Sequence, residues 1–217
     1  MPYRRTENVT RKLAARHAAI LGAARALAAE GGMAAVQIAA VAKRAGIAAG
    51  TVYRYFPSKT VLVAALMEAR AAVEVAALRR AAAAAPGPLS ALAAVIGTFA
   101  VRTLANRRFA FALMAEPIEP ELENVRVRFR RALSSQIAER IVTAVAAGHL
   151  PNQDVAIAAP ALMGALVEGL IGSLAPAVDD GATARAQAMT LLSLRALGVV
   201  DARARGLVVQ TQVRADD

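Results

Sequence analysis

Residues Val36 to Lys59 read VQIAAVAKRAGIAAGTVYRYFPSK and contain two short helical patterns separated by a glycine. In the first half, apolar residues recur at spacings of three and four from Ile38 to Ala45, which gives a short helix one apolar face. Gly46 interrupts this pattern, and after it Val52 and Phe56 stand four residues apart, so both can face the first helix. Two short helices joined by a glycine-containing turn predict a helix-turn-helix, the motif that places its second helix in the DNA major groove.

This stretch resembles the TetR family of bacterial transcription regulators. The resemblance rests on a first helix ending in AKRAGI, a second helix GTVYRYF, and the FPSK link into the next helix. It implies an all-α fold with an N-terminal three-helix helix-turn-helix DNA-binding domain and a larger C-terminal helical domain for ligand binding and dimerisation. The predicted divisions are a mobile basic arm over 1–13, the DNA-binding domain over 14–74 with its motif at about 37–56, the effector-binding and dimerisation domain over 75–200, and a loose tail over 201–217.

The composition agrees with a helical protein. Of 217 residues, 57 are alanine, the residue with the highest helix propensity, and no stretch alternates between apolar and polar residues as a strand does. The chain has no cysteine, which excludes disulfides and thiolate metal sites. Without cysteines and without a recognisable signal peptide, the sequence predicts a cytoplasmic protein.

Most of the positive charge lies on the part of the chain that carries the motif. Residues 1–59 hold ten Lys and Arg against two Glu, a net charge of +8, whereas the remaining 158 residues sum to +2. Such a concentration is expected for a protein that binds a polyanion, here double-stranded DNA. The first ten residues are polar and lack apolar periodicity, so we expect a mobile arm, with Thr10 capping the first helix.

The resemblance also implies which residues contact DNA. The positions matching Ala49, Gly50, Thr51 and Tyr53 approach bases or backbone in the family, and those matching Tyr55 and Lys59 hold phosphates. Ser58 is predicted to cap the helix that begins at Lys59, where a DNA phosphate would offset the unfavourable cation at a helix N-terminus. Gln37 and Ala48 replace the hydroxyl residues that usually cap the two motif helices. The predicted DNA-binding residues are Gln37, Ala48, Ala49, Gly50, Thr51, Tyr53, Arg54, Tyr55 and Lys59.

The segment from Ala156 to Val178 carries one charge, Glu168, and is long enough to span a bilayer. A central glutamate costs about 2.5–3.5 kcal/mol on insertion scales, so we predict a buried helix and no membrane contact. The resemblance places a four-helix dimer interface on residues 154–178 and 182–197. The candidate interface residues are Gly164, Gly169, Gly172, Leu191 and Leu194.

Large apolar side chains are rare outside the DNA-binding part, and they fall on helices that enclose the ligand cavity in the resembled family. They are predicted to line an effector pocket for a largely hydrophobic molecule with one polar group, with Arg102 and Glu168 as polar anchors. The alternative is that they form ordinary core. The candidate pocket residues are Phe99, Arg102, Phe109, Phe111, Met114, Phe129, Met163 and Glu168.

No catalytic constellation is apparent: the chain has two histidines and no glycine-rich phosphate loop at a strand-to-helix junction, and we predict no metal and no cofactor. Four glutamates between Glu116 and Glu123 flank two prolines, a composition more typical of a solvated loop than of a metal site. Three interpretations remain open. They are a homodimeric repressor that releases a palindromic operator when an effector binds, an architectural DNA-coating protein, and an all-helical enzyme.

Overall fold

The computed structural model describes the backbone of residues 3–175 and 181–210, and the side chains within these ranges from residue 8 onward. The described residues form helices joined by short links and contain no strand, which confirms the predicted all-α fold. The helices are α1 (Tyr3–Gly31), α2 (Ile38–Arg44), α3 (Ala49–Tyr55), α4 (Lys59–Ala83), α5 (Pro88–Ala105), α6 (Arg107–Met114), α7 (Pro120–Ala146), α8 (Val155–Ile171), α9 (Ala182–Ala196) and α10 (Asp201–Gln210). A 3-10 turn, Met33–Ala35, connects α1 to α2.

The N-terminal unit packs α1, α2, α3 and the beginning of α4 around one apolar centre. Val41, Val52 and Phe56, the residues that predict the two motif helices, are all buried there. Ile20 of α1 and Leu62 of α4 complete the centre and are fully buried. The α2 and α3 helices therefore form, over Ile38–Arg44 and Ala49–Tyr55, because their apolar faces meet.

The C-terminal unit consists of α5 to α10 with most of α4. The α4 helix runs for 25 residues from the motif into this unit, where it packs on α5 and α7. Among the described residues, α5 has the length and apolar character of a membrane-crossing helix, but 61% of it is buried in the fold, as in the core helix of a globular domain. The α8 segment considered in the sequence forms a helix of 17 residues.

Two predicted boundaries are wrong. The α1 helix begins at Tyr3, so most of the expected arm over 1–13 is helical and Thr10 does not start the helix. The physical reason is that Tyr3 to Leu21 contains neither Gly nor Pro, so nothing in this stretch stops a helix from propagating toward the N-terminus. The α8 helix ends at Ile171, before the predicted Val178, because Gly172 has extended backbone angles. Met1, Pro2 and residues 176–180 lie outside the described residues.

The expected loose tail is also partly wrong, because residues 201–210 form α10. Ala204, Leu207 and Val208 recur at helical spacing and are buried, and the helix packs against α9 and α5. Asp201 lies in its first turn and accepts hydrogen bonds from Arg195 and Arg205. An acidic residue at this end also interacts favourably with the helix dipole. Residues 211–217 lie outside the described part of the chain.

Candidate nucleic-acid interface and effector cavity

The α3 helix presents one face to solvent and buries the other. Val52 is fully buried, while Gly50, Arg54 and Tyr53, the last with 52% of its surface accessible, are exposed. Ala48 and Ala49 are also exposed, and Thr51 and Tyr55 are half-buried. Five of the nine residues predicted to contact DNA are therefore exposed on α3 or at its N-cap, and few of them carry a hydrogen-bonding side chain.

Capping around α3 follows the sequence. Gln37 and Ala48 occupy the N-cap positions of α2 and α3, and neither side chain makes a capping hydrogen bond. The Gln37 side-chain amide instead donates to the Ala34 carbonyl at 3.0 Å. Ser58 Oγ accepts from the Val61 amide at 3.2 Å and caps α4, as its sequence context predicts.

Lys59 has a partner within the chain that the sequence does not predict. Its ammonium nitrogen lies 2.7 Å from Glu119 Oε1, and this hydrogen bond lowers the pKa of Glu119. Glu119 immediately precedes α7, so the ion pair joins the start of α4 to the C-terminal unit. The cation expected to hold a DNA phosphate therefore contacts a carboxylate of its own chain.

A second contact from the same region reaches the N-terminal unit. We call residues 115–119 the α6–α7 link. Glu116 Oε2 accepts the Met33 amide at 3.0 Å, and Arg126 of α7, which is buried, donates to the Glu116 carbonyl. The α6–α7 link is thus fixed to α7 on one side and to the DNA-binding unit at both Met33 and Lys59 on the other.

A small cavity lies between α4, α5, α6 and α7, with a free volume of about 20 Å³. The described residues that line it are Arg70, Glu74, Phe99, Arg102, Thr103, Asn106, Phe109, Ala110, Leu113, Met114, Phe129 and Leu133. Five of the eight predicted pocket residues are in this set, namely Phe99, Arg102, Phe109, Met114 and Phe129. The structure adds Arg70 and Glu74 to the lining of the cavity. Their i, i+4 spacing on α4 is the one feature of the sequence that indicates an ion pair between them.

Charged groups meet at one end of this cavity. Arg102 Nε lies 2.9 Å from Glu74 Oε2, and Arg102 Nη2 lies 3.3 Å from Glu74 Oε1. Arg70 forms an ion pair with the same Glu74 carboxylate, and its guanidinium carbon lies 5.8 Å from the centre of the Phe109 ring. These three charged side chains expose only 10–14% of their surface. Burial lowers the pKa of Arg70, and the nearby Arg102 and Arg25 act in the same direction, against the attraction of Glu74.

Three predicted pocket residues lie elsewhere. Met163 lines a separate open groove between α7 and α8, and Phe111 is half-buried outside the cavity. Glu168 is exposed to solvent at the end of α8 and accepts a hydrogen bond from the Leu174 amide at 2.8 Å. The rotation of each helix about its axis decides which side chains face the cavity. The presence of a large side chain in an apolar sequence does not reveal that rotation.

The candidate interface residues also separate into two groups. Leu194 is fully buried within its own chain, so it has no surface to offer a partner. A Cβ at Gly169 would meet Met189 of α9, and a Cβ at Gly172 would meet the Glu168 side chain, so both glycines serve packing within the chain. Gly164 and Leu191 lie toward the outer face of α8 and α9, where Leu192 is exposed.

Among residues 8–175 and 181–210, no group of three or more Asp, Glu or His side chains is arranged to hold a metal ion. The Glu116 and Glu119 side chains are instead engaged by the amide and ammonium groups described above.

Comparisons with known proteins match the N-terminal unit by sequence and most of the chain by fold. Residues 20–66 match the family model of bacterial regulatory proteins of the tetR family. The HTH-type transcriptional repressor KstR of Rhodococcus jostii is 62% identical over 48 residues, which are 22% of this chain and 23% of that protein. The chain thus spans less than a quarter of the length of the curated relatives it matches.

Two solved structures share the fold at low sequence identity. The fatty acid degradation regulator FadR from Bacillus halodurans has a TM-score of 0.73 and 21% identity, over 85% of this chain and 97% of that one. RolR in complex with resorcinol has a TM-score of 0.68 and 23% identity, over 95% of this chain and 100% of that one.

Proposed function

We propose that this chain, whose residues 20–66 match the family model of bacterial regulatory proteins of the tetR family, is a cytoplasmic, ligand-responsive transcriptional repressor. It binds a palindromic operator as a homodimer and releases it when a small hydrophobic effector enters the cavity. The observation that carries this proposal is that one helix, α4, directly follows the DNA-facing α3 and also lines the cavity. The sequence relatives are described as transcriptional repressors, which supports the sign of regulation.

Recognition of DNA rests on the exposed face of α3. Thr51, Tyr53 and Arg54 are its hydrogen-bonding side chains, whereas Ala49 and Gly50 offer only apolar contact or close approach. Direct reading of bases is therefore limited to a few contacts, and DNA shape supplies part of the specificity. The phosphate contacts come from Lys59 and Tyr55, and they set affinity more than sequence preference.

The homodimer uses the outer faces of α8 and α9. Ile157 of α8 and Leu192 of α9 expose 67% and 54% of their surfaces, and the exposed residues near Gly164, Ala161 and Ala165, are small. An exposed apolar face of this kind favours association with a second copy, and two-fold symmetry would relate the two α3 helices to two operator half-sites.

Effector binding requires the cavity to grow. A free volume of about 20 Å³ accommodates roughly one water molecule, far below the several hundred Å³ typical of drug-sized ligands. A ligand must therefore separate α4 from α6 or α7. Because α3 ends where α4 begins, a tilt of α4 changes the distance between the two α3 helices of a dimer, and the ligand-bound population no longer fits the operator.

DNase footprinting of the DNA upstream of the protein's own gene tests the proposal. We expect a short protected palindrome with the parent protein, and loss of this protection with Tyr53→Ala but not with Arg203→Ala, which removes an exposed cation from α10. Protection that extends along any duplex without a palindrome would instead identify an architectural DNA-coating protein. Conversion of a co-purified compound into a product would identify an enzyme.

A further inference from the structure

We propose that the effector is an organic acid whose apolar body occupies the aromatic part of the cavity and whose carboxylate binds Arg70. This inference rests on the proposed ligand-responsive function and names the chemical class of its ligand. The starting observation is an imbalance of charge, because the described residues that line the cavity include two guanidinium groups and one carboxylate.

The single carboxylate is committed to Arg102. Glu74 contacts Arg102 through both of its oxygens, in the two-bond geometry that matches a guanidinium to a carboxylate. Arg70 shares Oε1 of this same carboxylate, so the cluster of three side chains keeps one unit of positive charge. Arg25 of α1 is close enough to add to the positive potential at Arg70.

A purely structural role does not account for the second arginine. A single Arg–Glu pair between α5 and α4 would connect the two helices with balanced charge. A further guanidinium with 14% of its surface exposed loses hydration without gaining a carboxylate of its own, which is unfavourable. The pKa of Arg70 is accordingly lowered, with burial as the main cause. A ligand carboxylate would supply the missing negative charge.

The rest of the cavity determines the body of the acid. Phe109 lies beneath the Arg70 guanidinium, and most of the remaining lining is formed by aromatic and aliphatic side chains, with Thr103 and Asn106 as its uncharged polar members. Such a lining favours a ring or an alkyl chain over a sugar or a nucleotide. The ligand therefore combines one acidic group at the Arg70 end with an apolar remainder.

Matched probe pairs test this assignment on the full-length protein. Phenylbutyrate is compared with phenylbutanol, and decanoate with decanol, by isothermal titration calorimetry. Each pair keeps the apolar body and changes only the charged group. We expect at least one acid to bind about 10-fold or more tightly than its alcohol, the effect of a charge-assisted hydrogen bond in a partly buried site. Arg70→Leu should remove this preference while the alcohol keeps its affinity, and Arg70→Lys should retain part of it.

Arg131→Leu is the matched control, because it makes the same chemical change in the groove between α7 and α8. It should leave the preference for the acid unchanged. Equal binding of acid and alcohol would overturn the inference while leaving ligand control intact, and so would a preference that survives Arg70→Leu. Binding of no probe at all would contradict both the inference and the effector role proposed for the cavity. Circular dichroism of each variant confirms that it is folded.

Discussion

Replacement of Glu119 by glutamine is expected to strengthen DNA binding, because Lys59 cannot contact Glu119 and a phosphate with full effect at the same time. The ammonium and carboxylate lie 2.7 Å apart, and their side chains expose 28% and 41% of their surfaces. Glu119 is the residue before α7 but makes no side-chain cap there, so glutamine removes the charge without removing a helix cap.

The magnitude follows from the exposure of this pair. Partly exposed ion pairs contribute about 0.2–1 kcal/mol each, because water screens them. A dimer contains two such pairs, so their loss on DNA binding costs roughly 0.4–2 kcal/mol, which corresponds to about a 2- to 30-fold gain in affinity for Glu119→Gln. The Glu119 pKa is lowered by Lys59, so the ion pair is present at neutral pH and weakens only as the pH falls below the usual carboxyl range.

Fluorescence anisotropy with a labelled operator duplex measures this change at several salt concentrations. Glu121→Gln is the matched control, because it alters the net charge equally from an exposed position two residues away. We expect the control to show only a small, salt-sensitive gain. If Glu119→Gln and Glu121→Gln bind the operator with the same affinity, Lys59 does not exchange Glu119 for phosphate and the reasoning fails.

Three further predictions concern other parts of the molecule. Lys59→Ala should weaken binding to all duplexes alike and reduce the salt dependence by about one phosphate contact per half-site, whereas Tyr53→Ala should narrow the gap between operator and random DNA in the same anisotropy assay. Gly164→Arg should yield folded monomers in sedimentation velocity, because an arginine there has space within its own chain but would obstruct the dimer interface. Gly206→Arg, which also has open space at its Cβ, should stay dimeric. A dimeric Gly164→Arg would place the interface elsewhere. Asp201→Asn should lower the thermal unfolding midpoint at about pH 6, because hydrogen bonds from Arg205 and Arg195 lower the pKa of Asp201 from 3.8. The stabilisation by ionised Asp201 is present above that pH and is lost as the pH falls below it. If the midpoints of parent and variant differ as much at low pH as at pH 6, the ion pairs of Asp201 are not the cause.

The helix-turn-helix could be predicted from sequence because the apolar spacing, the turn residue and the helix cap all indicated the same motif. Val41, Val52 and Phe56 have the spacing of two apolar faces, Gly46 supplies a positive φ of 65° at the turn, and Ser58 provides the cap of the next helix. Local signals of this kind need no knowledge of distant contacts. The exposed residues of α3 follow directly, because they are the positions that the buried ones leave on the opposite face.

The contacts between distant parts of the chain could not be predicted in this way. Lys59 and Glu119 are sixty positions apart, and a cation at a helix N-terminus gives no indication of which carboxylate lies nearby. Arg126 belongs to an arginine-rich helix, yet it is buried and donates a hydrogen bond to the Glu116 carbonyl, ten positions away. The predicted roles of Met163 and Leu194 were wrong for a similar reason, because neighbouring helices decide which face of α8 and of α9 is buried.

Each of the two ionic clusters described above includes residues of α4, and the clusters are also connected through α6 and the α6–α7 link. Lys59 and Arg70 are both on α4, and α6 ends at Met114, a cavity residue two positions before Glu116, which holds the Met33 amide. An effector larger than the present cavity must displace α4 or α6, and either movement changes the position of the α6–α7 link relative to the DNA-binding unit. Because linkage is reciprocal, DNA that withdraws Lys59 from Glu119 must alter effector affinity by the same factor by which the effector alters DNA affinity. We therefore propose that the coupling depends on the carboxylates of the α6–α7 link and not only on the tilt of α4.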